Sequence, residues 1–400
     1  MDAGPIKPGE TAGPRTGAGL TLALLGIAGF AIGANIRITD PLLPTFASEF
    51  GTTVGAAALV AMVFALAHGA LQIVYGPLGD KVGKLPIIAT AAIASAIISI
   101  ATAFAGSLPG LAGLRLLSGL ATAAIVPLTL AFIGDTTTYA QRHVALARFT
   151  GTVLLGLMCG QVLGGLIAEF FGWRAVFYFI GGVFAIAGIG LVFSPALRNH
   201  RRPERNGSGN GYAELFRLFK RPVVRHVLAA VCAQGAISFT TAAFVGAHLN
   251  DRFGFSLGAI GAMLGLFAAG GFAYSFFTAQ TLSRLGERGA LTAGGLMFGA
   301  SFLAMAFTPV WQVYAPALFI AGIGLMMVHN MLQVGATQMA PEARGAALSL
   351  FAAMIFLGQT VGFAILSPVY DHFGAIPIFL AAAIGFPAIA IAFRSTLAKS

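Results

Sequence analysis

Charge is scarce in this sequence: Asp, Glu, Lys and Arg make up 9% of its 400 residues, where a soluble globular chain carries about 25%. A soluble fold is excluded, because no interior could hide a chain that is 58% hydrophobic. Cysteine is nearly absent too. Cys159 and Cys232 both fall within apolar stretches and share no metal-ligand spacing, so they read as packing residues rather than a disulfide or metal site. Also missing are a phosphate loop ending in Gly-Lys-Ser/Thr, a nucleophile elbow, carboxylates paired at catalytic spacing and a metal-binding cluster. An enzyme, ATP drive and a bound cofactor or metal are therefore not expected.

What is present is a succession of long apolar runs. One helical crossing of a bilayer takes about 20 mostly apolar residues, and twelve such stretches occur at roughly 20–46, 55–78, 84–106, 110–134, 144–168, 174–195, 224–248, 257–280, 289–308, 311–337, 344–368 and 373–394. Runs this long, with Gly and Pro scattered through them, fit membrane helices and not the alternating ten-residue strands of an outer-membrane barrel. The fold class is an all-α membrane protein of twelve transmembrane helices. The first 19 residues lack the compact layout of a cleavable signal, so the first helix is expected to remain as an anchor.

The net charge of +10 follows from topology and calls for no nucleic acid. With both termini in the cytoplasm, 19 of the 23 Lys and Arg residues fall on the cytoplasmic side, with Arg174 and Arg252 outside and Arg37 and Arg115 inside helices. Basic residues near helix ends are retained in the cytoplasm. The implied place is the inner membrane of a bacterial cell. The longest break holds Arg198, Arg201, Arg202, Arg205, Arg217, Lys220 and Arg221 around the Gly-rich segment 206–211, which reads as a linker. The organisation is then a cytoplasmic tail (1–19), a six-helix bundle (20–196), a basic linker (197–223), a second six-helix bundle (224–394) and a short tail (395–400).

The two bundles repeat. A shift of 203 residues lays Phe50-Gly51 on Phe253-Gly254, Gly55 on Gly258, Gly83 on Gly286 and Gly119 on Gly322; a shift of 202 lays Arg142 on Arg344, Gly156 on Gly358, Gly160 on Gly362, Glu169 on Asp371 and Phe171-Gly172 on Phe373-Gly374. Two parallel repeats with a site between them at mid-bilayer are a secondary-transporter architecture, in which one half rocks against the other.

The connection between the second and third runs reads Gly76-Pro-Leu-Gly79-Asp80-Lys81-Val-Gly83-Lys84, and Leu282-Ser-Arg284-Leu-Gly286-Glu287-Arg288 is its degenerate copy in the second half. This pattern resembles the major facilitator superfamily, departing from it at Leu85, where a second basic residue is frequent. The resemblance spans nearly the whole chain. It implies two pseudo-symmetric six-helix bundles, a small-molecule substrate, and a cytoplasmic latch formed by Gly76, Asp80, Lys81, Gly83 and Lys84 with Arg284 and Arg288. The alternative for the charged members is that they only fix topology.

Gly156, Gly160 and Gly164 line one face of helix 5 and admit close backbone contact. Their spacing resembles the helix-5 signature of drug/proton antiporters, with Gln161 in place of the usual Pro; helix packing alone accounts for the same glycines. Charges inside the membrane cost about 2.5 to 3.5 kcal/mol each on insertion scales, and Arg37, Asp40 and Arg115 fall at similar depth, where an ion pair is expected. The segment Asp40-Pro41-Leu-Leu-Pro44 is similar to the helix-1 end of drug-efflux members, and Leu111 to Gly119 to their helix-4 signature, whose Arg the resemblance links to proton transfer. Burial opposes ionisation of Asp40 and neighbouring guanidinium groups favour it, so a proton carrier and a fixed salt bridge both remain open.

His68 and Gln72, Gln161, Gln234 and Ser238, and His329, Asn330 and Gln333 are the polar candidates for lining a central cavity. Taken together, the sequence reads as a monomeric, proton-coupled exporter of a small organic or drug-like molecule. An importer of a small anionic nutrient is the alternative, and a transporter-like sensor a third.

Overall fold

Inside a bilayer no water is available to main-chain amides, so an apolar segment must close its hydrogen bonds internally. The computed structural model describes residues 18–198, 217–340 and 343–396, and its apolar runs are helical throughout. Helix α1 is Ala18–Arg37, α2 Leu59–Val82 after a short first turn Val54–Ala57, and α3 Lys84–Thr102. Helix α4 comprises Leu108–Thr122 and Ile125–Thr136, followed by α5 Tyr139–Phe171 and α6 Trp173–Phe193. Helix α7 joins Pro222–Gln234 to Thr240–Phe253 through a π turn, Gly235–Phe239. The tail expected over 1–19 and the linker over 197–223 lie largely outside the described residues.

By length and composition, eleven helices among the described residues can cross a membrane. The expected twelfth is contained in Leu257–Phe307, whose 51 residues would measure about 77 Å at 1.5 Å per residue, against a hydrocarbon core of about 30 Å. Gly286 divides it, with φ 63° and ψ 176°, into α8 (257–285) and α9 (287–307). Helices α10 Tyr314–Gln338, α11 Arg344–Phe373 and α12 Ile376–Thr396 complete the bundle. The first run also differs from expectation. It ends at Arg37, and a 3-10 turn at Asp40–Leu42 leads into Leu43–Glu49, because Pro41 has no N–H with which to continue the α-helical ladder.

The repeat seen in the sequence has a backbone cause. Among the described residues six glycines adopt positive φ, and they form three related pairs: Gly51 with Gly254, Gly83 with Gly286, and Gly172 with Gly374. Gly83 is at once the end of α2 and the start of α3, with φ 105°. A side chain at Gly286 would meet no neighbour, so its conformation alone demands glycine. Gly286→Ala is expected to cost about 1–3 kcal/mol and to lower the thermal unfolding midpoint in detergent. Gly345→Ala, in ordinary helix with open space around it, is expected to leave the midpoint unchanged or raise it.

Packing repeats as well. Gly156 and Gly160 of α5 sit against Phe30 and Ala34 of α1, and Gly358 and Gly362 of α11 sit against Cys232 and Ala236 of α7; both glycine–partner pairs of the first half recur in the second at a shift of 202. Gly119 of α4 faces Phe64 and His68 of α2, while Gly322 of α10 faces Phe267 and Gly271 of α8, each shifted by 203. One apolar core is built from α1 to α6 around Leu25, Phe64, Phe177 and Phe184. The other is built from α7 to α12 around Phe244, Phe298, Phe363 and Phe379, and takes in Leu43, Ala58 and Ala61 from the first half. The ends of the bundle are termed outer (the α1–α2 side) and inner (the α2–α3 side), after the expected orientation.

Candidate functional site

Where the 3-10 turn breaks the first membrane run, Arg37 and Asp40 are buried three residues apart, with a guanidinium nitrogen 3.4 Å from Asp40 Oδ2. Gln161 of α5 donates its amide to the same oxygen at 3.3 Å. Both contacts are long for hydrogen bonds to a carboxylate. The other oxygen, Oδ1, is buried without a partner. On its far side Arg37 stacks on Phe239, with Cζ 4.3 Å from the ring centroid, so α7 contributes an aromatic face to a first-half charge. Phe239 ends the π turn, and such turns recur at functional positions because they re-aim side chains.

Arg115 was expected to join Asp40. Instead its two amino groups donate to Asn35 Oδ1 at 2.8 Å and to the Asn35 carbonyl at 3.1 Å, while Asn35 donates to Ser118 Oγ at 3.0 Å. Its Nε is buried and unpartnered. The guanidinium lies 4.2 Å from the centre of the Phe64 ring. Phe64 in turn stacks on His68 at 5.5 Å, and His68 meets Phe356 of α11 edge-on at 4.6 Å. A column Arg115–Phe64–His68–Phe356 thus runs from α4 across to the second half. Thr122 donates its hydroxyl to the Ser118 carbonyl, so the contact between His68 Nδ1 and Thr122 Oγ1 at 3.1 Å has the ring nitrogen as donor.

The remaining polar candidates separate. Gln161, expected in the cavity, belongs to the Asp40 cluster. Gln234 donates to His329 Nδ1 at 3.2 Å, and Ser238 turns its hydroxyl to the Gln234 carbonyl at 2.7 Å. Gln234 Oε1 is left unpartnered, as is Gln359 Oε1 on α11. Gln72 is buried on α2, Asn330 half-buried and Gln333 exposed. At the inner end, Lys84 is paired with Asp135 within the first half, while Lys81, Arg284 and Arg288 are exposed. The side chain of Asp80 lies outside the described residues. A cavity of about 840 Å³ opens among α1, α4 and α5, with Leu22, Phe30 and Ile133 in its wall and Gln141 and Arg148 among its polar groups.

Asn35, Ser118, Phe64 and Phe356 were not singled out in the sequence. For Asn35 a signal existed: it is the lone amide in the otherwise apolar run of α1, where an unpaired polar group costs free energy.

Comparison with known proteins places this geometry. The family model described as Major Facilitator Superfamily matches residues 25–363 and 227–398. The MFS-type transporter YceJ of Bacillus subtilis (strain 168) is 27% identical over 379 residues, 92% of this chain and 93% of its own length. A chloramphenicol resistance protein of Pseudomonas aeruginosa is 26% identical over 74% of this chain and 71% of its length. The multi-drug resistance efflux pump PmrA of Streptococcus pneumoniae is 32% identical over 40% of this chain and 41% of its length. In three dimensions the chain superposes on a bacterial homologue of the human lysosomal transporter Spinster with a TM-score of 0.72, covering 97% of this chain and 96% of that one at 17% identity. Family, fold and membrane helices agree: the chain is a member of the major facilitator superfamily, a multi-pass transporter of small molecules.

Proposed function

We propose that this transporter is a proton-coupled exporter of small organic or drug-like molecules, with Asp40 as the proton-carrying group. The observation that carries the reading is the setting of Asp40. Its carboxyl is buried, held on one oxygen by two long contacts and free on the other. It also sits where the halves meet, beside Gly246 of α7. A group so placed can exchange a proton when rocking changes its neighbours, which a carboxylate clamped by a bidentate guanidinium could not do. Relatives whose names record chloramphenicol or multi-drug resistance support export of drug-like compounds. The distribution of basic residues supports a cytoplasmic position for both termini, and in this reading the bundles 20–196 and 224–394 are the moving bodies of a monomer. Gln234, Ser238, His329 and Asn330 are assigned to the substrate path, and Lys84 with its neighbours to the cytoplasmic latch.

In proteoliposomes, a substrate exchanged one-for-one for a proton accumulates about tenfold per imposed pH unit, since one unit is worth about 1.4 kcal/mol. Uphill transport that persists after the proton gradient is collapsed overturns the coupling. One observation favours uptake of an anion instead: Arg115 is buried among neutral partners with Nε unpaired. Thermal stabilisation of the purified protein by drugs, sugars and organic anions separates the two, because a bound ligand raises stability with the logarithm of its saturation. Stabilisation by anions alone, lost in Arg115→Met, would favour the second reading.

A further inference from the structure

The repeat pairs Glu169 with Asp371, and neither residue belongs to the charge cluster or the substrate path. Each ends a long helix of one half, α5 or α11, at the outer end of the bundle. Each reaches across to the other half. Asp371 accepts the Gly55 N–H on Oδ1 at 2.8 Å and the Thr53 hydroxyl on Oδ2 at 2.7 Å, both at the start of the helical span leading into α2. Glu169 accepts the Gly258 N–H at 2.5 Å at the start of α8, and the Ser256 hydroxyl also reaches it. Thr53 and Ser256 are themselves the N-caps of those helices, accepting from Ala56 and Ala259. The whole arrangement is therefore duplicated: carboxylate, capping hydroxyl and glycine N–H recur at shifts of 202 or 203. Gly55 is sterically required, because a Cβ there would strike the Ser367 carbonyl as well as Asp371, while one on Gly258 would lie 2.6 Å from Glu169 Oε2 and displace the carboxylate.

A helix start offers unsatisfied N–H donors and a partial positive charge, so a carboxylate there forms a charge-assisted bond without a basic side chain. These hydrogen bonds cross between the halves at the outer end of the bundle. Beside them Gly165 and Gly261 bring the backbone of α5 onto that of α8. We propose that Glu169 and Asp371 form a two-armed latch that holds the outer end shut, each arm gripping the first turn of a helical span in the opposite half, α8 for Glu169 and the span leading into α2 for Asp371. Opening to the outside requires both arms to release. The proposal rests on the alternating-access reading but not on proton coupling or substrate identity, and its test uses neither a gradient nor a substrate.

The measurement is the rate at which a membrane-impermeant maleimide modifies a reporter cysteine, Thr241→Cys in a Cys159→Ser, Cys232→Ser background. Thr241 is buried on α7 in the closed arrangement. Labelling is run on intact cells and on inverted vesicles, so that the assay fixes the side. Losing one charge-assisted contact shifts a two-state equilibrium by about tenfold. Glu169→Gln and Asp371→Asn are each expected to raise modification from one side severalfold, and the double variant by at least about tenfold. Glu49→Gln removes an exposed ion pair with Arg174 at the same end but within one half, and is expected to change nothing. Should the double variant fail to give folded, monodisperse protein, Gly55→Ala and Gly258→Ala wedge the same contacts apart without removing charge and are expected to raise the rate in the same way. An unchanged rate from both sides, in the folded double variant or in the glycine variants, overturns the latch.

Discussion

In proteoliposomes carrying Asp40→Asn, an imposed pH gradient is expected to drive no accumulation: the ratio that rises about tenfold per pH unit in the wild type stays at one. Downhill movement of the same substrate is expected to continue, because the asparagine is nearly isosteric and leaves the rocking surfaces intact. The variant also leaves Arg37 buried without its carboxylate. Breaking a buried pair from one side costs about 3–5 kcal/mol, lessened here because the amide oxygen still accepts and the Phe239 face still supports the guanidinium. A lower melting point is therefore expected beside the lost coupling, and the single variant leaves the two effects confounded. Asp40→Asn with Arg37→Gln removes both charges and is expected to recover the melting point but not the accumulation. Recovery of both would make Asp40 a structural partner of Arg37 and end its role as carrier.

The legible part of this protein was whatever the bilayer dictates. Segment length, charge placement and paired glycines follow from hydrocarbon thickness and helix geometry, so the order of the helices and the repeat could be read, while helix ends such as Arg37 were set by local breaks. The positive-φ pairs such as Gly83 and Gly286 are the repeat's signature because no other residue tolerates that backbone. The charge cluster was legible only in its membership. Arg37, Asp40 and Arg115 were identifiable as costly buried charges, but their partners depend on where α1 ends. Pro41 stops the helix early and turns Asp40 toward Gln161, while Asn35 captures Arg115. Neutral partners such as Asn35 carry no sequence pattern of their own. The aromatic column through Phe64, His68 and Phe356 was hidden for another reason: among 34 phenylalanines, sequence position does not show which two meet a histidine.

The helix-5 glycines pose the same question of packing against function, and substitution in both halves decides it. A methyl group on Gly160 would lie 2.6 Å from the Cα and carbonyl oxygen of Ala34; at Gly156 it would strike the Phe30 carbonyl, and at Gly362 the Ala236 carbonyl. Backbone cannot step aside as a flexible side chain can, so α1 must separate from α5, or α7 from α11. Between membrane helices no hydrophobic drive compensates, because lipid tails are as apolar as the side chains they replace. Overpacking then costs about 1–3 kcal/mol per site. Gly156→Ala, Gly160→Ala and Gly362→Ala are each expected to lower the thermal midpoint in detergent, with similar losses in the two halves. Gly151→Ala on the same helix has open space and is expected to be neutral or stabilising. Transport measured per folded molecule decides the role. If activity falls only as folded protein falls, the glycines are a packing surface that happens to match an antiporter signature. If Gly156→Ala stays folded but loses transport while Gly362→Ala keeps it, then the first half's helix pair moves during the cycle and the second half's does not.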